Sequence, residues 1–309
     1  MYSVQIKRLV LLLDFFKIKM TTRRNFIINT SLAAAAVLAA PSLAFTMNKK
    51  EIGLQLYTLR DELPKDVKST LEKVAKAGYT TVETYGFSIK DQFWGLSPKE
   101  LKKILDDNNL KAVSGHYNLG SFLYDGNTVE LIAAIEAAKI LKNEFLTVPW
   151  VEEHFRKSIE NYKIIASRLN EAAKMCKKAG LKLAYHNHDF EFQKHDGVTG
   201  YEILLNETDK DLVYFELDLY WVARSGNDAL KLFKENPGRF KMWHVKDMDK
   251  VNQALNTEIG SGLIDFKPLF KEAKQSGMLH FFVEQENNYV PNSFESIKTS
   301  CDFISKNLI

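Results

Sequence analysis

Residues 182–192 read KLAYHNHDFEF, and the way this stretch ends decides the fold. An apolar climb through Leu183, Ala184 and Tyr185 stops at His186, Asn187, His188 and Asp189, with Glu191 just beyond. In a strand the side chains alternate between faces, so His186 and His188 share one side. Two imidazoles beside carboxylates suit a metal or acid/base site. A single buried histidine before a polar loop is the ordinary alternative, and it loses ground because the ending recurs. Residues 212–221, LVYFELDLYW, carry Glu216 and Asp218 two apart; residues 240–247, FKMWHVKD, carry His244 and Lys246; residues 280–287, HFFVEQEN, carry Glu284 and Glu286. Four successive strand-like runs thus finish in same-face ionisable pairs. Charges on a solvated sheet face would not gather at one end of every run, whereas a parallel barrel keeps its chemistry at the C-terminal ends of its strands.

The rest of the chain has the matching rhythm. Residues 51–59, 80–85, 111–117 and 144–150 read as four earlier strands, the second ending near Glu83 and the third at His116. Helical spacing predicts helices over 64–77, 97–108, 128–141 and 155–179, the second opened by Ser97-Pro98 as cap and first residue. Further helices are expected near 201–206, after Ser225-Gly226-Asn227-Asp228, over 266–276 behind Asp265 as cap, and over 293–307. Eight strands alternating with helices predict a parallel α/β fold, a (β/α)₈ TIM barrel.

Residues 1–44 are set apart from this pattern. Thr22-Arg23-Arg24-Asn25-Phe26-Ile27 matches a twin-arginine export signal, an alanine-rich apolar stretch runs over 27–40, and Ser42-Leu43-Ala44 offers a cleavage site after Ala44. Met20 is an alternative start. The expected product is one catalytic domain over residues 45–309, periplasmic and without stable membrane insertion once the signal is removed. The chain carries 42 Lys/Arg and 39 Asp/Glu. Six of the basic residues and one acid lie in 1–44, which leaves 36 against 38 and a net charge of −2. No basic run interleaved with aromatics remains, so nothing in the charge supports nucleic-acid binding. Cys176 and Cys301 fall in helical patterns and read as two buried free thiols.

The order of strand endings resembles the sugar phosphate isomerase/epimerase family of xylose isomerase-like barrels, across essentially all of residues 51–309. That resemblance implies a divalent metal held by a Glu after the fifth strand, an Asp after the sixth, a His after the seventh and a Glu after the eighth. Asp218, His244 and Glu284 match the last three, and Gly260-Ser261-Gly262 with Asp265-Phe266 resembles the family's G-x-G-x-x-D-[FW] segment. The fifth position departs: His186 stands where the epimerases carry Glu. His188 is the expected fourth ligand, with His186 deeper and Glu191 a competitor.

Mixed oxygen and nitrogen donors suit Mn, Co, Mg, Fe or Zn without choosing among them. Such an ion acidifies a carbon-bound proton beside a sugar ketone. Removing that proton needs a positioned base, with Glu83 and Glu284 as candidates, His116 and His186 as proton shuttles, and Lys246 as an oxyanion partner. Glu216 alternatively pairs with Lys246 inside the barrel. Trp94, Tyr117, Trp150 and Trp221 are candidates for stacking on a sugar ring, or for the core. Export favours a non-phosphorylated sugar, keto-sugar or glycoside as partner, although the glycine segment suits either a phosphate cradle or a plain turn. The expected activity is a metal-dependent isomerase or epimerase acting through an enediolate. The alternatives are a 3-keto-glycoside lyase and a non-catalytic sugar-binding protein.

Overall fold

The computed structural model describes residues 51–309; the expected export signal lies outside them. Eight strands are all parallel and close into a barrel in which each pairs with its sequence neighbours and the last with the first. They are β1 (Gly53–Gln55), β2 (Thr81–Thr84), β3 (Lys111–His116), β4 (Phe145–Val148), β5 (Lys182–His186), β6 (Val213–Asp218), β7 (Phe240–Val245) and β8 (His280–Val283). Around them run α1 (Val67–Lys76), α2 (Pro98–Asp107), α3 (Gly120–Asp125), α4 (Val129–Leu141), α5 (Ile159–Lys178), α6 (Gly200–Glu207), α7 (Leu219–Arg224), α8 (Ala229–Glu235), α9 (Phe266–Lys271), α10 (Ala273–Ser276) and α11 (Ser293–Asn307). This is the TIM barrel that the strand endings predict.

Local chemistry accounts for the boundaries. Ser97 and Glu100 form a reciprocal capping box with Pro98 in the first turn of α2. Asp265 caps α9 as expected, its side chain accepting from the Lys267 N–H. Two expected strands are shorter than the sequence suggests. The first ends at Gln55, because its side-chain oxygen accepts from the Tyr57 N–H at 2.9 Å and turns residues 56–59 into a 3₁₀ helix. The sixth ends at Asp218, whose Oδ1 accepts from the Trp221 N–H at 3.0 Å and starts α7. The short helix α3 escapes periodicity altogether.

Inside the barrel, residues two apart climb one face in layers. Phe145, Ala184, Met242 and Phe282 form a small apolar cluster of their own, separate from the main core between strands and helices. Gly53 makes room for it: a Cβ there would stand 2.6 Å from the Phe282 ring. Two residues further along their strands are His186, His244 and Glu284, so the apolar layer is the floor on which the polar end rests. No helix among the described residues is long and apolar enough to cross a membrane.

Candidate metal centre

The strand register brings the polar ends level. Asp218 pairs across the sheet with His244, and His186 with Glu216. Register shifts fall between Val82 and Glu83 and between Phe215 and Glu216, beside two of the carboxylates that meet at the centre. Donor atoms of Asp218, His244 and Glu284 lie within 4.8 Å of one another, and so do those of His116, His186, Glu216 and His244. His244 belongs to both sets and is fully buried.

Hydrogen bonds knit the two sets together. His244 Nε2 lies 2.7 Å from Glu83 Oε2, and its Nδ1 lies 3.0 Å from Glu284 Oε2. His116 Nε2 sits between Glu216 at 2.7 Å and Glu83 at 3.0 Å. Gln55, which the sequence reading passed over, donates to Glu83 at 2.7 Å. Glu216 turns to the histidines, and its partner is not Lys246. That lysine reaches Glu284 at 3.3 Å and Glu286, with Asp218 at 4.0 Å.

Electrostatics follow from crowding in a dry place. Burial opposes charge on His116, but Glu83 and Glu216 outweigh it and bring its pKa up to about 9. Burial opposes charge on Glu216 too, yet His244 and His116 hold it at about 2. Burial pushes the Asp218 carboxyl up to about 7 against the pull of Lys246 and His244. Burial likewise opposes the Lys246 ammonium, and Glu284, Asp218 and Glu286 overcome it and raise its pKa.

A divalent cation fits this donor set. Glu83, Glu216, Asp218 and Glu284 are buried carboxylates, faced by the Lys246 ammonium and by His116 and His244, whose pKa values these neighbours raise against burial. Asp218 Oδ2, Glu83 Oε1, Glu216 Oε1 and His186 Nδ1 are buried without hydrogen-bond partners. His186 Nδ1 comes within 3.1 Å of Glu216 Oε2 but is not aligned for a hydrogen bond. Buried polar atoms of native proteins are nearly always paired, so this concentration of unpartnered oxygen and nitrogen donors is what a bound cation would satisfy.

His188 belongs to neither donor set. Its ring stacks on Phe190 at 5.5 Å and meets Trp150 edge-on at 5.0 Å, and burial, then the Lys246 charge, pushes its pKa down to about 3. Glu191 also lies outside both sets. Its oxygens accept from the Tyr185 hydroxyl at 2.6 Å and the His188 N–H at 2.8 Å, so it braces the loop after β5.

Above the cluster opens a cavity of about 570 Å³, within the range of small-molecule sites. His116, His186, His188, Glu284 and Glu286 border it, with Tyr57, Tyr85, Phe87, Trp150, Phe190 and Trp221 as aromatic walls. Tyr117 is core, its hydroxyl bonded to Asn143, and Trp94 packs on Tyr85. The glycine segment after β7 already holds an anion of the protein's own. The N–H groups of Gly260, Gly262 and Ile264 donate to the Asp247 carboxylate at 2.9, 3.0 and 3.1 Å. Asp247 fills the nest of amides that a phosphate would need.

A family model described as xylose isomerase-like TIM barrel matches residues 71–307. The chain belongs to this family. An inosose dehydratase of Clostridium botulinum is 25% identical over 287 residues, covering 78% of this chain and 92% of that protein. A crystal structure of a sugar phosphate isomerase/epimerase from Parabacteroides distasonis superposes with a TM-score of 0.74 at 27% identity, covering 87% of this chain and 98% of that one. The structure of an IOLI protein with a bound zinc atom has a TM-score of 0.65 at 18% identity, covering 82% and 97%, which is a likeness of fold.

Proposed function

We propose that this xylose isomerase-like barrel is a metal-dependent lyase that acts on a cyclic polyhydroxy ketone, an inosose or a 3-keto-glycoside. It removes the proton beside the ketone and expels the oxygen substituent on the next carbon. The observation that carries this reading is the donor cluster of Asp218, His244 and Glu284 meeting a cavity through Glu284, with the carboxylate-backed His116 on the same cavity's wall. The likeness to inosose dehydratases, whose name denotes loss of water from such a ketone, supports elimination over isomerisation.

Asp218, His244 and Glu284 would hold the ion, with His186 or His188 as the donor from the fifth strand. When bound, a divalent ion polarises the ketone and neighbouring hydroxyl oxygens and so acidifies the C–H between them. The remaining work falls to side chains. Glu284 and Glu286 are the cavity-facing carboxylates of the β8 side, placed to accept the carbon-bound proton. The C–H electrons become the new C=C bond and the C–O bond on the next carbon breaks. His116, kept charged by Glu83 and Glu216, gives its proton to the departing oxygen. Glu83 and Lys246 do not border the cavity; they fix the imidazoles and the β8 carboxylates from behind. The filled glycine nest and the twin-arginine stretch both favour a non-phosphorylated substrate met outside the cytoplasm.

A second reading, isomerase or epimerase, draws on the Parabacteroides likeness and shares the first step. The test is metal analysis of the purified protein, then incubation with an inosose and a 3-keto-glucoside in D₂O, with and without chelator. Loss of water or aglycone that stops with chelator is the expected result. Deuterium uptake without elimination would move the assignment to epimerase, and absence of both with no stoichiometric metal would refute the enzymatic reading.

A further inference from the structure

Among the described residues, Arg156 is the one cavity-lining Lys or Arg, and the proposed chemistry does not use it. It lies just after the 3₁₀ turn Glu153–Phe155 in the segment between β4 and α5. Its guanidinium carbon sits 3.4 Å from the centre of the Phe190 ring and 4.7 Å from that of Trp150, so two aromatic faces fix the plane of the fork. None of its side-chain nitrogens donates to a described residue, and Nη1 is buried without a partner. Asp189 and Glu286 line the same cavity but make no ion pair with it among the described residues. A ladder of ring contacts leads out to it from the cluster, His186 to His188 at 5.0 Å and His188 to Phe190 at 5.5 Å. The guanidinium thus stands at the aromatic end of the cavity, away from the reacting end. Buried Glu191 feels its charge but makes no ion pair with it, so a planar fork held against rings keeps its hydrogen-bonding edge free for a carboxylate, in the two-point manner peculiar to arginine.

Resting on the elimination reading above, we propose that the aromatic part of the cavity is a subsite for a planar leaving group, with Arg156 anchoring a carboxylate that the group carries. Trp150 and Phe190 hold the guanidinium, and the other cavity aromatics cover the ring of the leaving group. Arg156 is then a specificity-determining residue, acting on binding more than on the chemical step.

The test uses two 3-keto-glucosides whose phenolic leaving groups differ only in a para-carboxylate or a para-carboxamide. Turnover is measured on metal-loaded wild-type protein, Arg156→Gln and Arg156→Lys; separately, 4-hydroxybenzoate and 4-hydroxybenzamide are titrated against the same three proteins by calorimetry. Wild-type protein is expected to favour the carboxylate about 10- to 100-fold, the worth of one charge-assisted contact, chiefly through KM. Arg156→Gln erases that preference, and Arg156→Lys keeps part of it. Equal weakening of both ligands in Arg156→Gln would mean that the arginine only holds the loop, and no wild-type preference would equally overturn the subsite. The titrations separate the two readings. Arg156-dependent benzoate binding without turnover keeps the subsite and sinks elimination, whereas turnover without preference does the reverse.

Discussion

Asp218→Asn separates metal binding from folding, because the two respond in opposite directions. Asp218 has two tasks. Its Oδ1 caps α7 through the Trp221 N–H, which an amide oxygen does equally well, while its buried Oδ2 has no hydrogen-bond partner. Burial raises its carboxyl from 3.8 to about 7. A carboxyl whose folded pKa lies above the unfolded one destabilises the metal-free fold, a penalty that begins above about pH 4 and is complete above pH 7. A three-unit shift corresponds to about 4 kcal/mol at most, and the new amide's own burial cost reduces the gain to roughly 1–3 kcal/mol. In chelator at pH 8, Asp218→Asn should therefore melt several degrees above wild type, given about 2–4 °C per kcal/mol for a chain of this size. With metal added the order reverses. Wild type gains about 2.7 kcal/mol at a hundredfold excess over Kd, and the variant, short of a ligand charge, gains little. Thermal unfolding monitored by circular dichroism, with and without EDTA and with Mn²⁺ or Zn²⁺, gives the four values. If Asp218→Asn is destabilised in EDTA at pH 8 and shows the wild-type metal shift, the carboxylate is not a metal ligand and the reasoning fails.

The other end of the barrel should respond to acid rather than to metal. Glu144 accepts from Lys182 at 2.5 Å and lies 3.0 Å from His280 Nε2; His280 and Lys182 together outweigh partial burial and hold it at about 2. Its folded pKa lies below the unfolded value near 4.3, so it contributes stability above about pH 4 that is lost as pH falls towards 2. Glu144 is half-exposed, which limits the effect to below about 1 kcal/mol. Glu144→Gln should flatten the acid limb of a urea-unfolding pH series and leave neutral turnover unchanged, and a fall in turnover would contradict the division between the two ends. Gly262→Ala would place a Cβ 2.2 Å from Asp247 Oδ1 and 2.3 Å from the Met248 carbonyl oxygen. The nest must open, costing on the order of 1–3 kcal/mol in chemical denaturation, so an unchanged urea midpoint would show that the nest is not held as described.

Residue spacing carried much of the fold and part of the site. The recurrent i, i+2 endings predict the barrel because side-chain alternation is a local property of any strand. It fails where a side chain bonds its own backbone. Gln55 and Asp218 each end a strand in this way, and the apolar letters after them, LYTL and LYWV, read equally well as strand or helix. Glu216 was legible as inward-facing but not as a partner of His116, which comes from a strand a hundred residues earlier in the chain. Gln55 and Arg156 gave no signal, since an amide in a strand and a lone arginine in a loop are commonplace. Only the closed barrel and the ring of Phe190 give them something to hold.

The layering of the barrel explains why one end does chemistry and the other does not. Lys182, Ala184 and His186 occupy one face of β5 at three heights, and His280, Phe282 and Glu284 do the same at the end of the chain. At the lowest level Glu144 meets Lys182 and His280, so the local charge is nearly closed. The middle level is apolar and separates the two polar ends. At the top, Glu83 and Glu216 meet His116 and His244 while Asp218 and Glu284 face Lys246, and three of these carboxylates keep an oxygen without a hydrogen-bond partner. Both ends are rich in ionisable residues, so abundance alone would not tell them apart. The distinguishing feature is buried polar atoms left without a hydrogen-bond partner, Glu83 Oε1, Glu216 Oε1, Asp218 Oδ2 and His186 Nδ1, which folding does not favour by itself and which a bound cation can satisfy. By that criterion the centre lies at His244, one layer below His188 on the cavity wall, and Glu191 braces the loop after β5.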